Sequence, residues 1–309
     1  MKKTILKQSL HPRNRYQGSY DLERLSAINP HLSDWLITTP DGRRSVNFSE
    51  PKAVRALNQA LLKQYYDLNW QLSDGFLCPP VPGRADYLHY IADLLSEDIQ
   101  GPVQGAADVL DIGCGANCIY PLIGYAEYGW RFTGTDIHPA SVTAANAIVA
   151  ANPGLQQAIR IRLQKNPAAI FNGILRKTDF YHLTICNPPF HSSAEDAQQG
   201  SARKIRNLGI DKRSPLNFAG QHNELWCSGG ERGFITRMIH ESVIFAGQAG
   251  WFTSLVSKKE NLLPLTSLLR SCGAAQIRIL EMGQGQKQSR ILAWSFHQED
   301  QRRKLLRRR

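Results

Sequence analysis

The chain has 309 residues, a formal net charge of +11, 42% hydrophobic and 20% charged side chains. That is apolar material for a sizeable core, in one large domain or two ordinary ones, and it excludes a disordered polyelectrolyte. The sequence pI of about 9.5 favours a polyanionic partner, nucleic acid, over simple solubility charge.

No apolar run reaches the ~20 residues of a membrane span, so no membrane association is expected. Met1-Lys2-Lys3-Thr4-Ile5-Leu6 lacks the apolar stretch and cleavage site of a secretory signal. The cysteines at 78, 114, 118, 186, 227 and 272 are scattered. No second close pair completes a zinc site, so no metal is expected, and free thiols fit a reducing cytoplasm.

The first 50 residues are basic and turn-rich. His11-Pro12-Arg13-Asn14-Arg15-Tyr16 mixes cations with an aromatic ring, as RNA-binding arms do, although a solvated tail has the same composition. Val54, Leu57, Leu61 and Leu62 recur at helical spacing and predict an amphipathic helix over 51–66. A proline-rich loop over 73–84 ends at Arg84 and leads into a helix beginning near Asp86. Then strands and helices alternate. Strands are expected at 109–112, 131–136, 159–163, 183–186 and 251–256, with a closing pair at 277–280 and 291–296. Helices are expected at 117–128, 139–152, 234–245 and 262–271. Such alternation predicts an open, mostly parallel sheet covered on both faces. The polar segment 191–230 carries Arg203, Lys204, Arg206, Lys212 and Arg213 and reads as a substrate-facing loop, and the chain ends on a basic run from Arg302 to Arg309.

Two motifs fall where strands end. Asp111-Ile112-Gly113-Cys114-Gly115-Ala116-Asn117 joins the first strand of the alternation to a helix, and Asp136 ends the second. Glycines permit a sharp turn and close approach to a ligand, and ligands of open parallel sheets sit beyond the strands' carboxyl ends. A dinucleotide site wants a third glycine where Cys118 stands. A carboxylate before the first glycine suits a cationic cofactor, S-adenosylmethionine, whose ribose hydroxyls could pair with Asp136; a plain strand-to-helix turn is the alternative. The second motif, Asn187-Pro188-Pro189-Phe190, follows the fourth strand. Two prolines cannot continue a ladder. The turn either simply ends the strand or grips a planar amine. In the latter case Asn187 Oδ1 and the Pro188 carbonyl accept the amine hydrogens and Phe190 stacks on the ring.

Together these motifs resemble class I methyltransferases that modify exocyclic or amide nitrogens. The segments Pro79–Arg84, Asp111–Leu122, Cys186–Phe190 and Gly229-Gly230-Glu231 are similar, in order and over roughly residues 10 to 296, to the adenine-N6 RNA methyltransferase family whose bacterial members act on 23S ribosomal RNA. His11-Pro12-Arg13-Asn14 points to that bacterial branch. The resemblance implies a Rossmann-like α/β fold with a seven-stranded, mostly parallel sheet and helices on both faces. Composition and element order divide the chain into a helical, basic RNA-binding extension over 1–72, a methyltransferase domain over 73–298 and a basic tail over 299–309. The resemblance also implies S-adenosylmethionine held by Arg84, Gly113, Asn117 and Asp136, to which the reading of the glycine turn adds Asp111 and Gly115, and adenine held by Asn187, Pro188, Pro189 and Phe190. The substrate is then large-subunit rRNA or an assembling large subunit. Guanine-N2 methylation, glutamine-amide methylation and a non-catalytic ribosome-assembly protein remain as alternatives.

Overall fold

A computed structural model of the chain describes residues 10–105, 107–193, 226–284 and 287–307. Arg203, Lys204, Arg206, Lys212, Arg213, Arg308 and Arg309, expected to meet RNA, lie outside the described residues.

The centre is a seven-stranded sheet of β3 (Asp108–Ile112), β4 (Arg131–Asp136), β5 (Ile159–Leu163), β6 (Tyr181–Cys186), β7 (Ala249–Val256), β8 (Gln276–Gln284) and β9 (Lys287–Ser295). The order is β5-β4-β3-β6-β7-β9-β8. β5, β4, β3, β6 and β7 run parallel, and β9 is antiparallel to both β7 and β8. The fold is the expected Rossmann-like class I arrangement. The chain winds outward from β3 to β5, then returns to place β6 on the other side of β3. The carboxyl ends of β3, β4 and β6 therefore converge at the topological switch point.

Side chains alternate across a strand, and the core divides accordingly. Val109, Ile185, Trp251 and Ile291 join one hydrophobic cluster; their neighbours Leu110, Cys186, Phe252 and Leu292 join a second. The first cluster takes α2 (Pro51–Tyr66), α3 (Val81–Ile99), α4 (Ile119–Tyr128) and α5 (Pro139–Ala150). The second takes α7 (Gly230–Ile244) and α8 (Leu262–Ser271). The short α6 (Leu155–Ala158) leads into β5.

The sequence-based boundaries of α2, α8, β4 and β5 coincide with the structure. Three differences have physical causes. α3 starts at Val81, because Pro82 fits a helix's first turn, where no N–H partner is needed. Arg84 is thus inside the helix rather than at a loop's end. The N-terminal region also holds α1 (Leu22–Ile28) and a small hairpin of β1 (Leu36–Thr38) and β2 (Arg44–Val46), too short to show periodicity.

The third difference concerns the basic ends. Residues expected as a free tail form α9 (Glu299–Arg307), packed against β7 and α3. Arg302 donates from Nε and Nη2 to Asp98 at 2.8 and 2.7 Å, and its guanidinium lies 4.2 Å over the Trp251 ring. Leu306 packs so closely on β7 that a Cβ at Gly250 would stand 2.7 Å from it. At the other end, Arg13 donates to Asp93 at 2.6 Å and Arg15 to Glu127 at 2.8 and 3.1 Å. Asn14 and the His11 amide both donate to Asp86. Arg13 and Arg15 are engaged with α3 and α4, and Tyr16, Leu25 and Leu57 belong to the same core cluster as the sheet. No described helix is long and apolar enough to cross a membrane.

Candidate functional site

A cavity of about 530 Å³ opens where β3, β4 and β6 end, a size usual for small-molecule sites. Gly113, Cys114, Gly115, Asn117, Thr135, Asp136, Arg84, Asn187, Pro188 and Pro189 line it. Motifs from four separate stretches are thus brought to one place. Asp111 and Phe190 are not among the lining residues: Asp111 is fully buried in β3 and Phe190 is half-buried just past the turn.

The glycine turn is built to bend. Gly113 and Gly115 have φ of +71° and +64°, a region only glycine enters freely. The Cys114 amide donates to the Thr135 carbonyl at 2.8 Å, tying the turn to β4. Asp136 braces it further, since its carboxylate accepts from the amides of Gly115 at 3.0 Å and His138 at 2.9 Å. Burial nonetheless pushes the Asp136 carboxyl above its ordinary pKa, with those amides opposing.

Asp111 lies beside this turn with neither carboxylate oxygen hydrogen-bonded among the described residues. Burial drives its pKa well above the usual carboxylate range; Arg84 opposes this and Asp136 adds to it. Arg84 is aimed by Tyr120, to whose hydroxyl it donates at 2.9 Å. Asn117 lines the cavity, but its side chain is committed to the protein. Its Oδ1 accepts from the Ile119 amide at 3.1 Å and its Nδ2 donates to the Leu77 carbonyl at 3.4 Å. It holds the start of α4 against the proline-rich loop.

The Asn187 turn is fixed from behind. Tyr87 on α3 hydrogen-bonds Thr253 at 2.7 Å, and its hydroxyl accepts from the Cys186 amide at 3.4 Å. Thr253 Oγ1 donates to the Thr184 carbonyl at 2.7 Å. The end of β6 therefore has little freedom, while Asn187 Oδ1 is buried with no hydrogen-bond partner among the described residues. An unsatisfied buried acceptor is costly in a resting protein and useful in a site awaiting a donor.

The family model matching residues 4–298 is described as RNA methyltransferase. The chain is 56% identical over 296 residues to ribosomal RNA large subunit methyltransferase F of Pectobacterium carotovorum, covering 96% of this chain and 95% of that protein. It is equally similar over 303 residues to the protein of that name from Escherichia coli O127:H6, covering 98% of each. The chain belongs to this RNA methyltransferase family.

Solved structures agree with the fold. The human METTL16 catalytic domain in complex with MAT2A 3′UTR hairpin 6 has a TM-score of 0.78 at 30% identity, covering 94% of this chain and 98% of that one. The N-terminal domain of human METTL16 in complex with SAH has a TM-score of 0.75 at 29% identity, covering 94% and 100%.

In this RNA methyltransferase the cavity wall also includes residues that sequence reasoning passed over: Tyr120, Gln164, Ile170, Trp226, Phe234 and Arg237. Two glutamates of α7 hold these walls. Glu231, of the Gly-Gly-Glu segment, is 2% exposed, and Ser257, Lys258 and Asn261 all donate to it. Glu241 accepts three consecutive amides, Ile170, Phe171 and Asn172. Neither contact has a local signal, because each joins segments far apart in sequence.

Proposed function

We propose that the protein transfers a methyl group from S-adenosylmethionine to N6 of a specific adenine in large-subunit ribosomal RNA, in the cytoplasm. The observation that carries this reading is the unpaired Asn187 Oδ1 in the cavity formed by the glycine turn and Asp136. The residues present suit the cofactor. Asp136 in the cavity wall offers a carboxylate to ribose hydroxyls, Arg84 in the wall suits a carboxylate, and Asp111, buried in β3 beside the glycine turn, keeps an unpaired carboxyl for the cofactor's cation. When bound, S-adenosylmethionine supplies an electrophilic methyl group.

The chain's own residues prepare the amine. Its lone pair is conjugated with the ring, so it is a poor nucleophile. Asn187 Oδ1 and the Pro188 carbonyl accept its two hydrogens and draw the nitrogen toward a tetrahedral shape. Pro189 supports the ring face from the cavity wall. No strong base is needed, since the methylated nitrogen readily releases a proton to solvent. Positioning and fixed dipoles carry the rate. The base must leave its stack to enter, so an unpaired or loop nucleotide is the substrate.

Isotope-labelled S-adenosylmethionine incubated with naked rRNA, a partly assembled large subunit and the finished subunit, followed by nucleoside analysis, tests the reading. N6-methyladenosine in at least one substrate is expected. Label in N2-methylguanosine, or none in any RNA, overturns it.

A further inference from the structure

Asn187 Oδ1 is not the only unpaired polar atom in the cavity wall. Trp226 lines the same cavity, and its Nε1 is buried with no hydrogen-bond partner among the described residues. An indole nitrogen can only donate, so among the described residues the wall presents a buried unmet donor and a buried unmet acceptor. The two are held in register by the backbone. His191, four residues past Asn187, forms a parallel bridge with Trp226, and the Cys227 amide donates to the His191 carbonyl at 3.1 Å. The strand-end turn and the segment bearing Trp226 are therefore one unit. Leaving a buried N–H unpaired is costly unless a ligand completes it.

We propose that Trp226 Nε1 donates to an unprotonated ring nitrogen flanking the target amino group, making Trp226 a specificity residue for adenine. This rests on the adenine-N6 reading above. Adenine has such an acceptor on each side of its amine, N1 and N7. Asn187 then reads the amine as a donor and Trp226 reads the adjacent ring atom as an acceptor. Guanine carries N1–H on one flank of its amine, which sets donor against donor; its other flank, N3, lies beside the sugar. A site with a buried donor rejects a base that cannot accept from it.

The test is single-turnover methyl transfer at saturating cofactor to an rRNA fragment carrying adenosine, 1-deazaadenosine or 7-deazaadenosine at the target position. The parent and Trp226→Phe are compared, the latter keeping an aromatic ring and losing the N–H. Trp226→Phe is expected to lose about tenfold in kcat/KM on adenosine, the effect of one hydrogen bond. On one of the two deaza substrates the variant and parent should react alike, because the partner atom is already gone. Which analogue does so identifies N1 or N7. Trp226→His, which keeps a ring N–H, should recover part of the loss. Full penalties for Trp226→Phe on both analogues assign Trp226 to packing alone and overturn the inference. A parent that forms no N6-methyladenosine on the unmodified fragment refutes the adenine reading itself, and the inference falls with it. Cofactor affinity of Trp226→Phe should match the parent; a large loss there counts against a role confined to the base.

Discussion

Asp98 and Asp111 are both removed from water, at 3% and 0% exposure, and they have opposite surroundings. Asp98 accepts from Trp251 Nε1 at 2.7 Å and twice from Arg302. The Asp111 carboxylate has no hydrogen-bond partner among the described residues and lies where the glycine turn begins. The first carboxylate fastens α9 and α3 to β7. The second is left incomplete beside a cavity. Burial alone does not separate structure from function; for these two carboxylates the difference lies in whether the buried group is satisfied.

The largest expected effect breaks the satisfied site. Arg302→Ala leaves Asp98 charged and buried without its main partner and removes the contact with Trp251. Such a loss costs about 3–5 kcal/mol, read as a lower urea midpoint. Methyl transfer by the fraction still folded should be near normal. An unchanged midpoint would mean that α9 is a dispensable tail after all.

Next comes the unsatisfied acceptor. Asn187→Ala should slow single-turnover methyl transfer by on the order of a hundredfold or more, with little change in stability or cofactor affinity. Asn187→Asp keeps an acceptor in the same place and should retain part of the rate. A parent-like rate for Asn187→Ala would reduce the Asn-Pro-Pro-Phe turn to a strand terminator.

Asp136 lies between the two extremes, since two amides satisfy part of its carboxylate and the rest faces the cavity. Asp136→Ala should weaken cofactor binding by about tenfold, the scale of a lost hydrogen bond to a charged group. The fold should survive. Calorimetry with S-adenosylmethionine gives the number, and unchanged affinity removes Asp136 from the site.

The same contrast explains what the sequence made legible. The glycine turn, Asp136 and Asn-Pro-Pro-Phe could be found because each is a local signal at a strand's end, and parallel strands carry such ends to one edge. Chain charge misled for a similar reason. Arg13, Arg15 and Arg302 look alike as free cations, and only tertiary structure supplies Asp93, Glu127 and Asp98. Gly250 was the missed clue to α9, a glycine inside a buried strand where Leu306 comes close. Trp226, Glu231 and Glu241 act across long sequence separations, so no spacing rule points to their partners.

A pH series sharpens the comparison most. The Asp111 carboxyl titrates well above its ordinary value of 3.8 in the folded chain, chiefly because it is buried. The fold therefore prefers its neutral form. That preference contributes its full stability below about pH 3.8 and is lost as pH rises from there through the folded-state value. Asp111→Asn cannot ionise, so its stability should lack this decline. The difference in unfolding free energy between variant and parent should grow in the variant's favour with rising pH, by at most about 1.4 kcal/mol per pH unit. Urea midpoints at stepped pH, with Asp98 intact in both proteins, isolate the term. Cofactor affinity should move the other way, because the variant can no longer offer a charge to a cation. A variant that gains stability at neutral pH while losing affinity for S-adenosylmethionine marks a carboxylate kept for a ligand. A variant less stable than the parent at neutral pH would instead mark Asp111 as a structural partner like Asp98, and the distinction between the two would collapse.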